Sequence, residues 1–453
     1  MGKTVNSWAD RPLFVYLFGL FFLLFKTSQF FPSFQPAVFL LLLLAYSAIN
    51  FIVISVLRRI PSYKYGLSWL LVLWVAVLFT YPILGYLAGW LPASFIHAKY
   101  LLIAAVAVGL LLGYFYTRIP AGKIMMLNRG ANVFILILTG MVVFSGLKTA
   151  GIEAKHKQAI EAKSNIKVSR NNKSDIIWIM MDEYASPSSL KNELGFTNPL
   201  VDSLKKLDFF VFDSLKSRSD TTIYSVSSLF NFDDSLKVSN YNYAAGYLRD
   251  SKWPGVLQRD GYSFINLEFL DIAGQDKVWA LGIFPDDYLG QVLFNSMFYT
   301  GYNNSIDPEK KPIDHYNQFV IKQLEIKAAE KRQAPAFIWA HLLIPHAPFF
   351  RNAAGDPNSN PIQETSGYPK DELIKQYIPY LLYGNKVILD ILNHIPDWRT
   401  KTIVISGDHG ARMLLKADDA RRKETFAAVY YPRMDSAELS RVKFLQQIPL
   451  HLH

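Results

Sequence analysis

Residues 176–183 read IIWIMMDE, and residues 402–410 read TIVISGDHG. Each is an apolar run that stops abruptly on an acid. Short apolar runs bounded this way are read as strands buried on both faces, as in a mostly parallel sheet. In such sheets ligands gather beyond the carboxyl ends of the strands. If the two runs lie side by side, Asp182, Asp408 and His409 share one end of the sheet, although more than two hundred residues separate them in sequence. The fold of the second half of the chain turns on that pairing.

Further short apolar runs at 209–212, 262–266 and 336–340 alternate with helix-like stretches. The clearest helix is DELIKQYIPYLLYGNKVILDILNHI at 371–395, where Leu373, Tyr377, Ile378, Leu381, Val387, Ile388, Ile391 and Leu392 recur at helical spacing. Strand–helix alternation predicts an α/β domain over 175–453, with a mostly parallel central sheet and helices on both faces. The polar, lysine-rich stretch 149–174 reads as a linker.

Residues 1–148 have a different character. Apolar segments stand at 12–31, 37–57, 67–90, 98–116 and 131–148, and about 20 apolar residues suffice for a membrane span. This predicts a transmembrane domain of five helices. Lys3, Arg11, Arg58, Arg59, Lys64, Arg118, Lys123 and Arg129 fall on one side, against Lys26 and Lys99 on the other. Basic loops stay in the cytoplasm. The expectation is therefore a cytoplasmic N-terminus, a multi-pass protein of the cytoplasmic membrane, and everything after residue 150 outside it. The formal net charge of +10 comes largely from these loops and the linker, so no nucleic-acid partner is read from it. The absence of cysteine excludes disulfides, thiolate zinc sites and a cysteine nucleophile.

Four elements of the second half carry chemistry. Asp182 ends the first strand, where an acid commonly serves only as a cap. Asp408 and His409 both reach the turn after their strand, and Gly410 lets the backbone turn tightly there. Carboxylate and imidazole ligands suit a divalent metal, zinc or manganese. In SRSDTTIYSVSSLFNF, 217–232, Asp220, Thr221 or Thr222 can cap a following helix. A hydroxyl there faces the positive end of the helix dipole, which favours an alkoxide and an incoming phosphate. FIWAHLLIPHAPFF, 337–350, offers His341 and His346. His341 sits near the end of a buried strand, where a histidine is often a hydrogen-bonded core residue. His346 is held in a loop between two prolines and is placed to meet a substrate oxygen.

In that order the four elements resemble the sulfatase-like branch of the alkaline phosphatase superfamily, over about residues 174–432. The resemblance implies Asp182, Asp408 and His409 as metal ligands, with Glu183 a weaker candidate. In related transferases a threonine lies three residues before a serine, and Ser225 then selects Thr222 over Thr221 as nucleophile and further ligand. His346, with His341, would contact substrate. Five spans before an external catalytic domain resemble lipoteichoic acid synthases and lipid A phosphoethanolamine transferases. Such enzymes move a phospho-headgroup through a phosphothreonine intermediate, which implies a phospholipid or envelope glycoconjugate substrate at the bilayer. The Cys/Ser-x-Pro-x-Arg signature of formylglycine sulfatases is absent, which disfavours sulfate ester hydrolysis. A hydrolase on the same scaffold, or a receptor without chemistry, are the alternatives. After FAAVYYP the family continues with an asparagine- and arginine-bearing tail; RVKFLQQIPLHLH stands here instead, so an altered or truncated C-terminus is expected.

Overall fold

The computed structural model describes residues 12–29, 34–57, 59, 66–87, 90, 97–163, 173–232, 241–279, 288–299, 313–362, 365, 367–432 and 434–452. Lys3, Arg11, Arg58 and Lys64, used above for orientation, lie outside the described residues, as does the linker stretch 164–172. The chain forms two compact units. One comprises Met1–Lys155 with Gly282–Lys310, the other His156–Leu281 with Lys311–His453.

Among the described residues of the first unit the apolar segments form helices: α1 (Phe14–Gln29), α2 (Pro36–Leu57), α3 (Gly66–Leu78), α4 (Thr80–Leu87), α5 (Ala98–Thr117) and α6 (Ala121–Lys163). Among the described residues three stretches are long and apolar enough to cross a membrane: Pro36–Val56, Ala98–Tyr116 and Gly122–Lys148. The third apolar segment is broken into α3 and α4, bent by 80°, and makes a fourth crossing if the pair counts as one. At 16 residues α1 is only about 24 Å long, short of a full span. Helix α6 also runs through the first part of the predicted linker, to Lys163.

A segment from far along the chain completes this unit. The Val77 carbonyl, freed by the break, accepts from Met297 N–H at 2.9 Å, and Tyr81 N–H donates to the Asn295 carbonyl at 3.1 Å. Freed backbone groups in apolar surroundings need such partners. Tyr288 and Val292 join the core of Phe14, Phe18, Phe22, Tyr46 and Leu78. The Thr27 and Tyr288 hydroxyls bond at 2.5 Å.

The second unit is built on β1 (Ile176–Met181), β2 (Phe210–Val211), β3 (Leu215–Lys216), β4 (Ser263–Leu267), β5 (Ala336–Leu342), β6 (Thr402–Gly407), β7 (Glu424–Thr425) and β8 (Ala427–Tyr430). The six-stranded sheet has the order β2-β8-β6-β1-β5-β4, with β3 and β7 forming a separate ribbon. It is mixed: β4, β5, β1 and β6 run parallel, while β8 is antiparallel to β6 and β2 to β8. No long helix separates β6 from β8, and a parallel return would need a crossover of a dozen residues or more, usually a helix.

Central strands β1 and β5 are buried along their whole length. Both faces are covered, so neither strand shows the polar alternation of a half-exposed strand. Ile177, Ile179, Met181, Ile338, Ala340 and Leu342 pack against the Ile313–Ala329 and Lys370–His394 helices, through residues such as Val320, Leu324, Tyr377 and Leu381. Trp178, Met180, Phe337 and Trp339 point the other way. They meet Ile223, Val226, Leu229 and Phe230 of the Thr222–Phe230 helix, and Trp253 beyond it. In register, Met181 faces Leu342 on one side and Gly407 on the other. Asp182 and Asp408 therefore leave the sheet at the same height.

Candidate metal and nucleophile centre

Backbone hydrogen bonds fix the two strand ends against each other. Asp182 N–H donates to the Leu342 carbonyl at 2.9 Å, and Asp408 N–H to the Met181 carbonyl at 3.3 Å. Asp408 Oδ1 accepts two backbone N–H groups, Glu183 at 3.0 Å and His409 at 2.8 Å. That satisfies one carboxylate oxygen and leaves Oδ2 facing inward. His409 Nδ1–H donates to the Gly410 carbonyl at 2.9 Å, which leaves Nε2 to act as a ligand. Nε2 lies 3.2 Å from Asp408 Oδ2 and 3.8 Å from Asp182 Oδ1.

One ligand atom from each of Asp182, Asp408 and His409 falls within 4.8 Å of the others, and all three residues are buried. Asp182 Oδ1, Asp408 Oδ2 and His409 Nε2 have no hydrogen-bond partner. Two carboxylates and an imidazole buried together with unmet lone pairs are costly unless a cation compensates them. The donor set, two oxygens and one nitrogen, suits a divalent metal. Burial, and then the neighbouring Asp408 carboxylate, push the Asp182 carboxyl up to about 6. Burial alone would raise Asp408 too, but the His409 and His341 imidazoles, the Glu183 N–H and the Thr222 hydroxyl hold it below its ordinary range.

Gly410 earns its place differently from the expectation. Its φ is not in the left-handed region; a Cβ there would lie 2.6 Å from the Glu424 carbonyl oxygen. Close backbone approach, rather than a tight turn, requires glycine.

The Thr222–Phe230 helix begins at Thr222, with Thr221 as an extended N-cap whose side chain makes no capping bond. Ser225 Oγ, on the first turn, donates to the Asp408 carbonyl at 2.6 Å and lies 2.7 Å from Ser217 Oγ. This pins the helix start beside the Asp408 turn. The Thr222 hydroxyl comes close enough to help lower Asp408, although Oδ2 has no hydrogen bond of good geometry.

His346 lies in the loop after β5, with Nδ1 donating to the Ala347 carbonyl. Burial would depress its imidazole, but the Asp182 and Glu183 carboxylates raise it above the ordinary value. His341 is fully buried at the end of β5 and is paired with Glu268. Asp182, Asp408, His409 and Thr222 are thus gathered at one edge, with His346 and His341 close enough for their charges to act on Asp182.

Arg412, Arg422 and Glu268 at this edge escape sequence reasoning, and Glu183 and Asp220 take other partners than expected. Glu183 is buried and has a φ of 59°, a conformation unusual for a non-glycine residue. Its carboxylate is 2.8 Å from Arg412 Nε. Arg412 Nη1 also donates to the Asp220 carbonyl at 2.8 Å, while Arg422 pairs with the Asp220 carboxylate at 2.6 Å. Glu268 did carry a signal: it follows the apolar run SFINL just as Asp182 follows IIWIMM.

The family model described as Sulfatase matches residues 174–428. No curated protein matches the chain by sequence. Among solved structures, the chain is similar to the integral membrane lipooligosaccharide phosphoethanolamine transferase A of Neisseria meningitidis, at 13% identity, covering 96% of this chain and 91% of that one, with a TM-score of 0.41. The C-terminal periplasmic domain of EcEptC from Escherichia coli, in complex with Zn, matches at 15% identity over 59% of this chain and 75% of that one, TM-score 0.39. A Bacteroides thetaiotaomicron protein from a locus for glycosaminoglycan metabolism matches at 15% identity over 58% and 68%, TM-score 0.37.

Proposed function

The chain belongs to the sulfatase family, a sulfatase-like hydrolase/transferase enzyme, and we propose that it is a membrane-anchored phosphotransferase working outside the cytoplasmic membrane. One observation carries this reading: three buried, unpartnered ligand atoms stand beside a helix that starts on a threonine and is pinned to the Asp408 turn by Ser225.

In this proposal Asp182, Asp408 and His409, with the Thr222 oxygen, hold a divalent metal, zinc or manganese. When bound, that ion supplies positive charge that favours ionised hydroxyl oxygen and screens negative charge on a phosphoryl group. Thr222 Oγ, its hydroxyl proton released to solvent, attacks the phosphorus of a phospholipid headgroup. The Oγ–P bond forms as the bond from phosphorus to the lipid oxygen breaks, and the lipid leaves as an alcohol after taking up a proton. The first turn of the Thr222 helix offers backbone N–H groups to the phosphoryl oxygens. In this reading His346 and His341 contact those oxygens, and His346 gives the leaving lipid oxygen its proton. An acceptor hydroxyl on an envelope glycoconjugate then attacks phosphorus and frees Thr222.

The domain plan is proposed as residues 1–148 for the membrane domain, with five crossings, 149–174 for the linker and 175–453 for the catalytic domain, from which Gly282–Lys310 returns to the membrane unit. The N-terminus lies in the cytoplasm and the catalytic domain on the periplasmic or extracellular side. The test is mass spectrometry of the purified protein after incubation with phospholipid vesicles. A phospho-headgroup adduct on Thr222 is expected; turnover with no adduct on any residue would point to direct attack by water and a hydrolase.

A further inference from the structure

Strands β4 and β5 are parallel neighbours, with Leu267 opposite Ala340. Glu268 and His341, the next residue on each strand, therefore leave the sheet together. Side chains alternate along β5, so His341 shares the face of Phe337 and Trp339, which is the face covered by the Thr222–Phe230 helix. The Glu268 carboxylate accepts Trp339 Nε1–H at 2.9 Å, and its two oxygens lie 2.9 and 2.8 Å from His341 Nδ1. Both residues are fully buried. A carboxylate only accepts, so Nδ1 carries a proton. Nε2 is left buried with no partner.

The groups around this imidazole come from several elements. Glu268 follows β4, Asp182 follows β1 and Asp408 follows β6; all three carboxylates favour its charged form. The Phe269 ring lies 5.4 Å away, centroid to centroid. Tyr316 Oη donates to the His341 carbonyl and so leaves the ring free. Burial alone would push the imidazole down, but Glu268 and the two aspartates raise it to about 9. With Nδ1–H held by Glu268, the charge of that carboxylate favours a second proton on Nε2, and a buried, unmet Nε2–H calls for an acceptor oxygen.

Resting on the proposed function, we infer that Glu268 is a positioning residue, holding His341 with Nε2–H presented to an oxygen of the tetrahedral oxyanion that enters beside Asp182 and Asp408. Glu268 acts through His341 by fixing the ring and stabilising its charge. The Trp339 indole in turn fixes the carboxylate.

The test is binding of inorganic phosphate to the full-length, zinc-loaded protein in detergent, measured by calorimetry from pH 6.5 to 9.5. Glu268→Gln is expected to weaken phosphate binding about tenfold near neutral pH and to move its alkaline decline down by about two pH units. Glu268→Asp keeps most of the binding, because the negative charge remains. His341→Gln weakens binding as much as Glu268→Gln, and the double variant is no weaker than His341→Gln alone. Wild-type binding by Glu268→Gln across the pH range overturns the inference. So does a loss of zinc with phosphate affinity unchanged, which would make His341 a metal ligand. If Glu268→Gln does not fold, His341→Gln decides: unaltered phosphate binding overturns the inference. None of these readings needs Thr222 to react, so a wild-type enzyme that forms no phosphothreonine sinks the proposed function and leaves this result standing.

Discussion

Ser225 Oγ and the Asp408 carbonyl are joined by a 2.6 Å hydrogen bond across 183 residues of sequence. The bond ties the first turn of the Thr222 helix to the turn that carries Asp408 and His409. Ser225 is fully buried and also contacts Ser217. Replacing it with alanine leaves a buried carbonyl and a buried hydroxyl short of a partner, at about 1–3 kcal/mol. Ser225→Ala is expected to lower the unfolding midpoint and to slow phosphoenzyme formation. A variant with normal rates would show that the tie does not position the nucleophile.

Thr221 and Thr222 are neighbours with different expected fates. Thr222→Ala should abolish turnover while metal binding to Asp182, Asp408 and His409 persists. Thr221 makes no side-chain capping bond, so Thr221→Ala should cost less than the ~1 kcal/mol of a bonded cap and keep most activity. Headgroup transfer assays on the two purified variants check this, and reversed phenotypes would place the nucleophile one residue earlier.

Zinc should raise the thermal unfolding midpoint of the protein. A ligand that binds only the folded state at a thousand times its dissociation constant adds about 4 kcal/mol. Asp182→Ala and His409→Ala should each remove that shift and cut bound zinc, measured by elemental analysis. A full complement of zinc in both variants would move the metal elsewhere.

Stability should depend on alkaline pH through His341. Its folded pKa, about 9, lies above the ordinary 6.5. A raised pKa means the folded state holds its proton more tightly than the unfolded state. The stabilisation is therefore complete below about 6.5 and disappears as pH rises through about 9. Denaturant midpoints of the metal-free protein should fall across that window. His341→Gln should flatten this fall, and an unchanged slope in that variant would assign it to another group.

Orientation can be read with a reporter. A periplasm-active enzyme fused after residue 174 should be active only outside the cytoplasm, as the bias of basic loops requires. Activity of a cytoplasm-only reporter at that site would reverse the orientation and remove the lipid-headgroup reading with it.

Elements with a local cause are legible in the residues alone. IIWIMM and the IVI of TIVISG read as strands covered on both faces, because consecutive apolar residues leave neither side for water. The helix at 370–394 was legible from its repeat, and a helix start among Asp220, Thr221 and Thr222 from their residue types, although no side chain caps it. An acid beyond each strand pointed to one edge of the sheet. What meets there depends on how distant elements pack. The antiparallel edge of β8 and β2, the break between α3 and α4 closed by Asn295 and Met297, and the pairing of Glu268 with His341 join residues far apart in the chain. Glu183 looked like a second ligand in sequence, yet its left-handed backbone turns the carboxylate to Arg412. Periodicity reports which side of an element avoids water. It carries no record of which distant element covers that side, because that choice is made by shape, charge and backbone hydrogen bonding once the pieces are packed together.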